Sequence, residues 1–290
     1  MHVLIILNPT SGSAKPQTIY QMRQALLAAG AEVTLYTTTA AGDATRYLQN
    51  YSAPLDVVAV AGGDGTLNEV VNGLAGHPND SFRLALIPMG TTNVLAYELG
   101  IKRKNAIATL LNGKEKLIYP SHLNGNRFLL MAGIGYDAWV VDRVNPNLKR
   151  RMGKLAYVVS MLKQLPNFGR KLYRLRIDGT SYSAYSAIIT NGRFYGGSFL
   201  LSRQANLSTN TMQVLMLNGK HMGSLLLSLL GLPFGLMEKM PGVVSVPGQQ
   251  IEVEMLNSVT QEPVQADGDI RGQLPATITM ETSPLRVLVP

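Results

Sequence analysis

The sequence predicts an α/β protein in two parts: an open parallel sheet first, then a mostly antiparallel β region with helical insertions. Three observations carry this. Apolar strand-like runs alternate with segments of helical spacing through residues 1–113. That rhythm gives way near Lys116 to paired β runs around short turns. Glycine-rich turns stand at the carboxyl ends of the early strands, where open α/β sheets bind ligands.

The elements follow in order. VLIIL (3–7) reads as a buried strand. Residues 17–29 place Ile19, Met22, Ala25, Leu26 and Ala29 on one helical face, and Gly30 ends that helix. EVTLYT (32–37) is a strand and 43–50 a short helix. DVVAVA (56–61) is the most continuous β-branched run, and LNEVVNGL (67–74) returns to helical spacing. LALIP (84–88) is a strand stopped by Pro88, and 92–99 and 105–111 read as helices. Residues 116–135 read as two strands around 124-NGN-126, and a second hairpin is expected at Asp178-Gly179, with SYSAYSAIIT leading out. Further strands are expected at 212–217, 249–256, 275–280 and 285–289. The expected domains are 1–115 and 116–283, with the C-terminal strand 284–290 as a candidate to return to the first.

Composition narrows the chemistry. The 290 residues are 46% hydrophobic and 15% charged, an ordinary globular balance. There is no cysteine, so a thiolate nucleophile, a thiolate metal site and disulfides are excluded. His2, His77, His122 and His221 are scattered without ligand spacing. The net charge of +8 favours an anionic partner. The basic residues form no nucleic-acid motif, so no nucleic-acid partner is expected. MHVLIILNP reads as a first strand, not a signal peptide. The longest apolar stretch, 225–237, is shorter than the ~20 residues a membrane span needs and contains Pro233.

The stretch 57-VVAVAGGDGTLNEVVNGL-74 concentrates the functional signal. Glycines let backbone amides approach phosphate oxygens, and a helix N-terminus adds partial positive charge. The loop lacks the lysine of a Gly-Lys-Ser/Thr phosphate loop and holds Asp64 instead. A carboxylate beside phosphates points to a bridging Mg²⁺, while helix capping is the other role open to Asp64. A second loop, 88-PMGTTNVLA-96, turns at Gly90 into a helix at the neighbouring strand's end, and 8-NPTSG-12 ends the first strand at the same edge.

GGDGTLNEVVNG, preceded by NPTSG and followed by P-x-GTTN-x-x-A, resembles the diacylglycerol kinase catalytic domain family, which includes bacterial soluble lipid kinases, sphingosine kinases and ceramide kinases. The likeness runs on through 133-GIGYDA-138, 191-NGRFYGG-197 and 267-DGD-269. GGDGT alone is shared with NAD kinases and phosphofructokinases; GGDGT-x-NEV-x-NG is narrower. The resemblance implies an N-terminal open parallel-sheet nucleotide domain plus a C-terminal mostly antiparallel β-sandwich-like lipid domain, with ATP between them and its γ-phosphoryl passed to a lipid hydroxyl. Carried over by position, the nucleotide candidates are Asn8, Thr38, Gly62, Gly63, Asp64, Gly65, Thr66, Leu67, Asn68, Gly90 and Thr91, with Asp64 as the Mg²⁺ ligand.

Transfer to an alcohol needs a carboxylate to orient the hydroxyl and take its proton. Relatives of this kind read Asp-Gly-Glu where this chain has 267-DGD-269, so Asp269 is the expected base and Asp267 the alternative. Bacterial members also carry an Asp-Gly-x-Leu segment that holds a structural Mg²⁺. Here Asn210 and Thr211 replace that Asp-Gly, so the second metal is expected to be weak or missing.

The lipid side has two candidates. The segment 149–165 joins a basic start to an apolar stripe at Leu155, Val158, Val159 and Leu162, fit either for an anionic membrane surface or for core packing. The run 223–240, rich in leucine and methionine, fits an acyl-chain entry or plain burial. The expected location is cytoplasmic, with peripheral contact to the inner face of a membrane. An NAD kinase-like small-molecule kinase and a catalytically silent nucleotide- or lipid-binding protein are the competing readings.

Overall fold

Parallel pairing organises the first part of the chain. The computed structural model describes residues 1–12, 16–77, 82–145, 155–256 and 261–290. Four strands, β1 (His2–Leu7), β2 (Glu32–Thr37), β3 (Val57–Gly62) and β4 (Arg83–Pro88), stand side by side in the order β2-β1-β3-β4, all parallel. Helices α1 (Pro16–Ala28), α2 (Asp43–Gln49), α3 (Asp64–Gly73), α4 (Val94–Glu98) and α5 (Ala106–Asn112) connect and cover them. β3 is buried at every position, as a central strand covered on both faces must be. This rhythm, β-branched runs alternating with helical spacing, is the predicted open parallel sheet.

The sheet continues past β4. The C-terminal strand Leu285–Val289 pairs parallel to β4, and β5 (Lys114–Ile118) pairs antiparallel to that strand. The first unit therefore comprises residues Met1–Ile118 and Ser283–Pro290, and the second Tyr119–Thr282. Residues 116–118, expected within the second part, belong to the first sheet because β5 finds its partner there.

The second unit is built on antiparallel pairs. One six-stranded sheet contains β6 (Ser121–Leu123), β7 (Asn126–Phe128), β9 (Tyr173–Ile177), β10 (Thr180–Ala184), β16 (Gln250–Met255) and β19 (Ala276–Met280). The other contains β8 (Met131–Ile134), β11 (Ser186–Thr190), β14 (Met212–Leu217), β15 (Val243–Gly248), β17 (Pro263–Ala266) and β18 (Asp269–Gln273). A shared core that includes Phe128, Tyr173, Leu175, Ile189, Val214 and Ile278 joins them, as in a β-sandwich. A two-stranded hairpin, β12 (Phe194–Tyr195) and β13 (Phe199–Leu200), and helices α6 (Tyr136–Asp142), α7 (Leu155–Gln164) and α8 (Met222–Gly231) complete the unit.

Turn chemistry sets both predicted hairpins. Asn124-Gly125 and Asp178-Gly179 each take two left-handed residues, which matches the twist of the strands they join. The run 181–190, expected as one continuous strand, is two. It leaves one sheet at Ala184 and enters the other at Ser186, with the Tyr185 N–H bonded to the Leu217 carbonyl. Among the described residues no helix is long and apolar enough to cross a membrane.

Candidate functional site

Three turns converge at the carboxyl ends of β1, β3 and β4. Asn8, one residue past β1, donates its side-chain amide to the Thr66 hydroxyl at 3.0 Å. Its side-chain Oδ1 accepts the Thr10 N–H and hydroxyl, which shapes the NPTSG turn. A Cβ built on Gly12 would lie 3.9 Å from the Thr91 hydroxyl, so this turn reaches the GTTN loop.

The glycines of the two phosphate-type loops meet backbone to backbone. A Cβ on Gly90 would come within 2.7 Å of the Gly63 Cα and 2.8 Å of Asn93 Oδ1. A Cβ on Gly62 would strike Thr66 at 2.6 Å. A side chain at Gly90 would force the two loops apart, and one at Gly62 would displace Thr66. Asn93 then locks the second loop: its Oδ1 accepts the Gly90 N–H at 3.0 Å and its amide donates to the Gly90 carbonyl at 2.7 Å. Asn93 takes φ 48°, a left-handed conformation asparagine tolerates.

Gly63 is the extended residue that starts α3, and Asp64 is its first helical residue. The first turn of a helix, with its N–H groups and the positive end of its dipole, suits an anion. A shallow pocket lined by Gly62, Gly63, Asp64, Leu67, Pro88 and Asn93 lies there. Leu67 and Asn68, expected to touch nucleotide, are both buried, and Asn68 accepts the Asn72 amide at 3.2 Å. Thr38, also buried, directs its hydroxyl to the Leu7 carbonyl at the end of the neighbouring β1.

Two carboxylates unassigned by motif reasoning shape the adjoining 38–44 turn. Asp43 Oδ2 accepts the Thr39 hydroxyl and the Thr39 and Ala40 N–H groups. Those bonds, the Thr39 hydroxyl first, hold its carboxyl well below the usual range, against a smaller opposing effect of burial. Glu69, inside the NEV motif, accepts the N–H groups of Gly42 and Ala44 at 2.8 and 3.3 Å. The motif thereby ties α3 to the neighbouring turn. Its spacing marked the motif; only the fold says what the glutamate holds.

The residues present fit a single divalent cation at Asp64. Among the described residues no group of three or more His, Cys, Asp or Glu could hold a metal alone. Mg²⁺ needs no such cage, because one carboxylate, phosphate oxygens and water fill its shell. The second metal does not fit. Asn210 Oδ1 is buried and accepts no hydrogen bond from a described residue, but it is one neutral oxygen in place of a carboxylate.

In the second unit the 267–269 turn separates two roles. Asp267, at φ 50°, accepts the N–H groups of Leu129, Leu130 and Met131 at 2.7, 2.9 and 3.1 Å. The same segment is held from its other side, where Asn191 donates its N–H to the Leu130 carbonyl at 2.8 Å. Asp269 opens β18 with its side chain 49% exposed and Arg271 at 3.4 Å. Its carboxylate retains room for a further donor.

These features define a two-unit α/β protein with a phosphate-type loop pair on a parallel sheet and a carboxylate turn in a β-sandwich. Residues 2–119 match the family model "Diacylglycerol kinase catalytic domain", and 131–289 match "YegS C-terminal NAD kinase beta sandwich-like domain". A diacylglycerol kinase of Bacillus subtilis (strain 168) is 34% identical over 222 residues, 73% of this chain and 72% of the relative. A diacylglycerol kinase of Staphylococcus carnosus (strain TM300) is 28% identical across 99% of this chain and 94% of its own. A solved structure from Bacillus anthracis str. Sterne shares the fold at TM-score 0.81 and 24% identity, covering 100% of this chain and 97% of that one. The chain belongs to the diacylglycerol kinase family, a family of kinases.

Proposed function

We propose that the protein transfers the γ-phosphoryl group of ATP to a hydroxyl of a diacylglycerol-like lipid. The observation that carries this reading is the convergence of the Asn8, Gly63 and Gly90 turns at the sheet's carboxyl edge. The amides at the start of α3 would cradle phosphate oxygens. Asp64 would hold Mg²⁺ against them, and Asn8 would keep Thr66 in place. Bound ATP supplies the phosphoryl group. Asp269 would orient the lipid hydroxyl and accept its proton, while Asp267 holds the turn that presents it.

The lipid reaches this site from an anionic membrane surface. α7 buries its small residues, Ala156 and Ser160, and exposes Leu155, Val158 and Leu162. α8 buries Leu225, Ser228 and Gly231 and exposes Met222, Leu226, Leu227 and Leu230, and Phe234 is 74% exposed just after it. Large apolar side chains pointing outward suit an interface whose far side is hydrocarbon. Lys163, Lys220 and Lys239 flank these faces and suit anionic head groups. The basic start of the segment, 149–154, lies outside the described residues.

The test is Mg²⁺-dependent ATP turnover against a panel of lipids in mixed micelles, with NAD and no-lipid controls. Phosphate transfer to lipid that Asp269→Asn abolishes supports the reading. Transfer to NAD without lipid favours the small-molecule kinase, and ATP binding without turnover on any lipid favours a silent binder.

A further inference from the structure

A buried hydrogen-bond chain runs from an apolar cavity in the second unit to the turn that carries Asp269. The cavity, about 30 Å³, is lined by Met161, Leu225, Leu229 and Leu232 among others, with Asp137 and Tyr195 among its polar lining residues. The Tyr195 hydroxyl donates to Asp137 Oδ1 at 2.5 Å. The Gln265 amide donates to Asp137 Oδ2 at 2.7 Å. Gln265 Oε1 in turn accepts the Gly268 N–H at 2.9 Å, in the middle of the 267–269 turn.

The backbone is shaped to permit this chain. Gln265 lies directly across from Gly133 in the β17–β8 pair, and the register of β17 against β18 shifts between Val264 and Gln265. Such a shift re-aims a side chain. A Cβ on Gly133 would fall 1.7 Å from Asp137 Oδ2 and 2.8 Å from the Gln265 amide nitrogen. The glycine leaves the space in which the two side chains meet. Asp137 and Gln265 are both almost wholly buried. A buried carboxyl with two bonds and a buried amide with both ends used are costly to place and hold one arrangement.

We propose that Asp137 and Gln265 are a positioning pair: they set the Gly268 amide, and through it the direction of the Asp269 carboxylate, from the wall of the cavity. Neither residue touches the reacting atoms. The cavity lining and the candidate base are thereby built as one rigid piece. This inference rests on the reading of Asp269 as the base.

The experiment compares Gln265→Leu, Asp269→Asn and the double variant in the full chain, by kcat and KM for both substrates and by thermal unfolding. Gln265→Leu is expected to lower kcat about 10-fold or more while KM for ATP stays unchanged, because only the base turn is loosened. Added to Asp269→Asn, the same change is expected to alter the residual rate less than about 2-fold, since two residues acting through one group are not additive. Gln265→Glu keeps the size and can still accept from Gly268, but sets a second carboxylate against Asp137. It is expected to lose kcat similarly, and it carries the test should the leucine variant not fold. Wild-type kcat in a folded position-265 variant overturns the proposal. So does an equal loss in both backgrounds. Full activity in Asp269→Asn alone is a separate result, which sinks the base assignment itself.

Discussion

Asp267 clasps the backbone at Leu129, its Oδ2 accepting that N–H at 2.7 Å while its Oδ1 takes the next two amides. Three peptide donors on one carboxylate make Asp267 the clamp between the 267–269 turn and the 129–131 segment. Asp267→Ala is expected to lower unfolding free energy by about 3 kcal/mol, because the amides lose a charged acceptor. Asp267→Asn is expected to lose less, since asparagine tolerates the left-handed backbone and still accepts. Urea unfolding checks both. A variant of unchanged stability that had lost turnover would instead put Asp267 in the chemistry.

Asp269 should behave in the opposite way. Asp269→Asn is expected to cut turnover by about 10²- to 10⁴-fold, the usual worth of a general base. Its unfolding midpoint should barely move, because the side chain is half exposed and, among the described residues, its one ion-pair partner is Arg271 at 3.4 Å. Asp269→Glu should keep substantial activity. Steady-state rates beside a melting curve separate these outcomes.

The loop junction makes its own forecast. Thr66→Val keeps the side chain's shape but takes from Asn8 the hydroxyl it donates to. About 1 kcal/mol, or roughly 5-fold in ATP affinity, is expected to go with that bond. Titration calorimetry with ATP and Mg²⁺ measures it, and unchanged affinity would detach the NPTSG turn from nucleotide binding.

Two glycines of the loops should respond differently to alanine. Gly90→Ala drives a methyl to 2.7 Å from the Gly63 Cα, so it is expected to part the loops and weaken ATP binding at least about 10-fold. A Cβ at Gly65 meets nothing within 4 Å. Gly65→Ala is expected to add about 0.5–1 kcal/mol of stability through helix propensity. Equal ATP affinity in both variants would contradict the junction as the binding site.

Acid should reveal the 38–44 turn. The Asp43 carboxyl is held well below its ordinary value, chiefly by the Thr39 hydroxyl and then by the Thr39 and Ala40 amides. Below about pH 4 the unfolded chain takes up the proton first, so the stability Asp43 contributes is full above that pH and declines as pH falls through the depressed value. The difference in melting temperature between wild type and Asp43→Ala is therefore expected to be flat from about pH 5 to 8 and to shrink only in stronger acid.

Much of this architecture could be read in advance because its signals are local. Runs such as VVAVA, the glycine punctuation of GGDGT, and the Asn124-Gly125 and Asp178-Gly179 turns each act within a few residues. The crossing at Tyr185 was hidden because residues 180–190 contain no glycine or proline to mark a break, and both halves have strand character. Glu69, Asp137 and Gln265 were hidden for another reason. Each acts on a partner distant in sequence, 128 residues away for Gln265 and Asp137, and no spacing rule reaches that far. Outward-facing leucines on α7 and α8 were ambiguous as well, since an apolar stripe looks the same whether it meets a core or a bilayer.

The position of Leu285–Val289 inside the first sheet bears on how the protein is made. Leu285 stands opposite Ile118, so the second unit is a loop let out from, and returned to, one pair of neighbouring strands. On a ribosome, β5 would wait without its sheet partner through the synthesis of all of residues 119–284. The second unit, whose strands are contiguous in the chain, can close during that wait. The first can join β4 to β5 only after it, when Leu285–Val289 has been made. A chain spliced from Ile118 to Ser283 by a short turn should thus fold as a free-standing α/β unit.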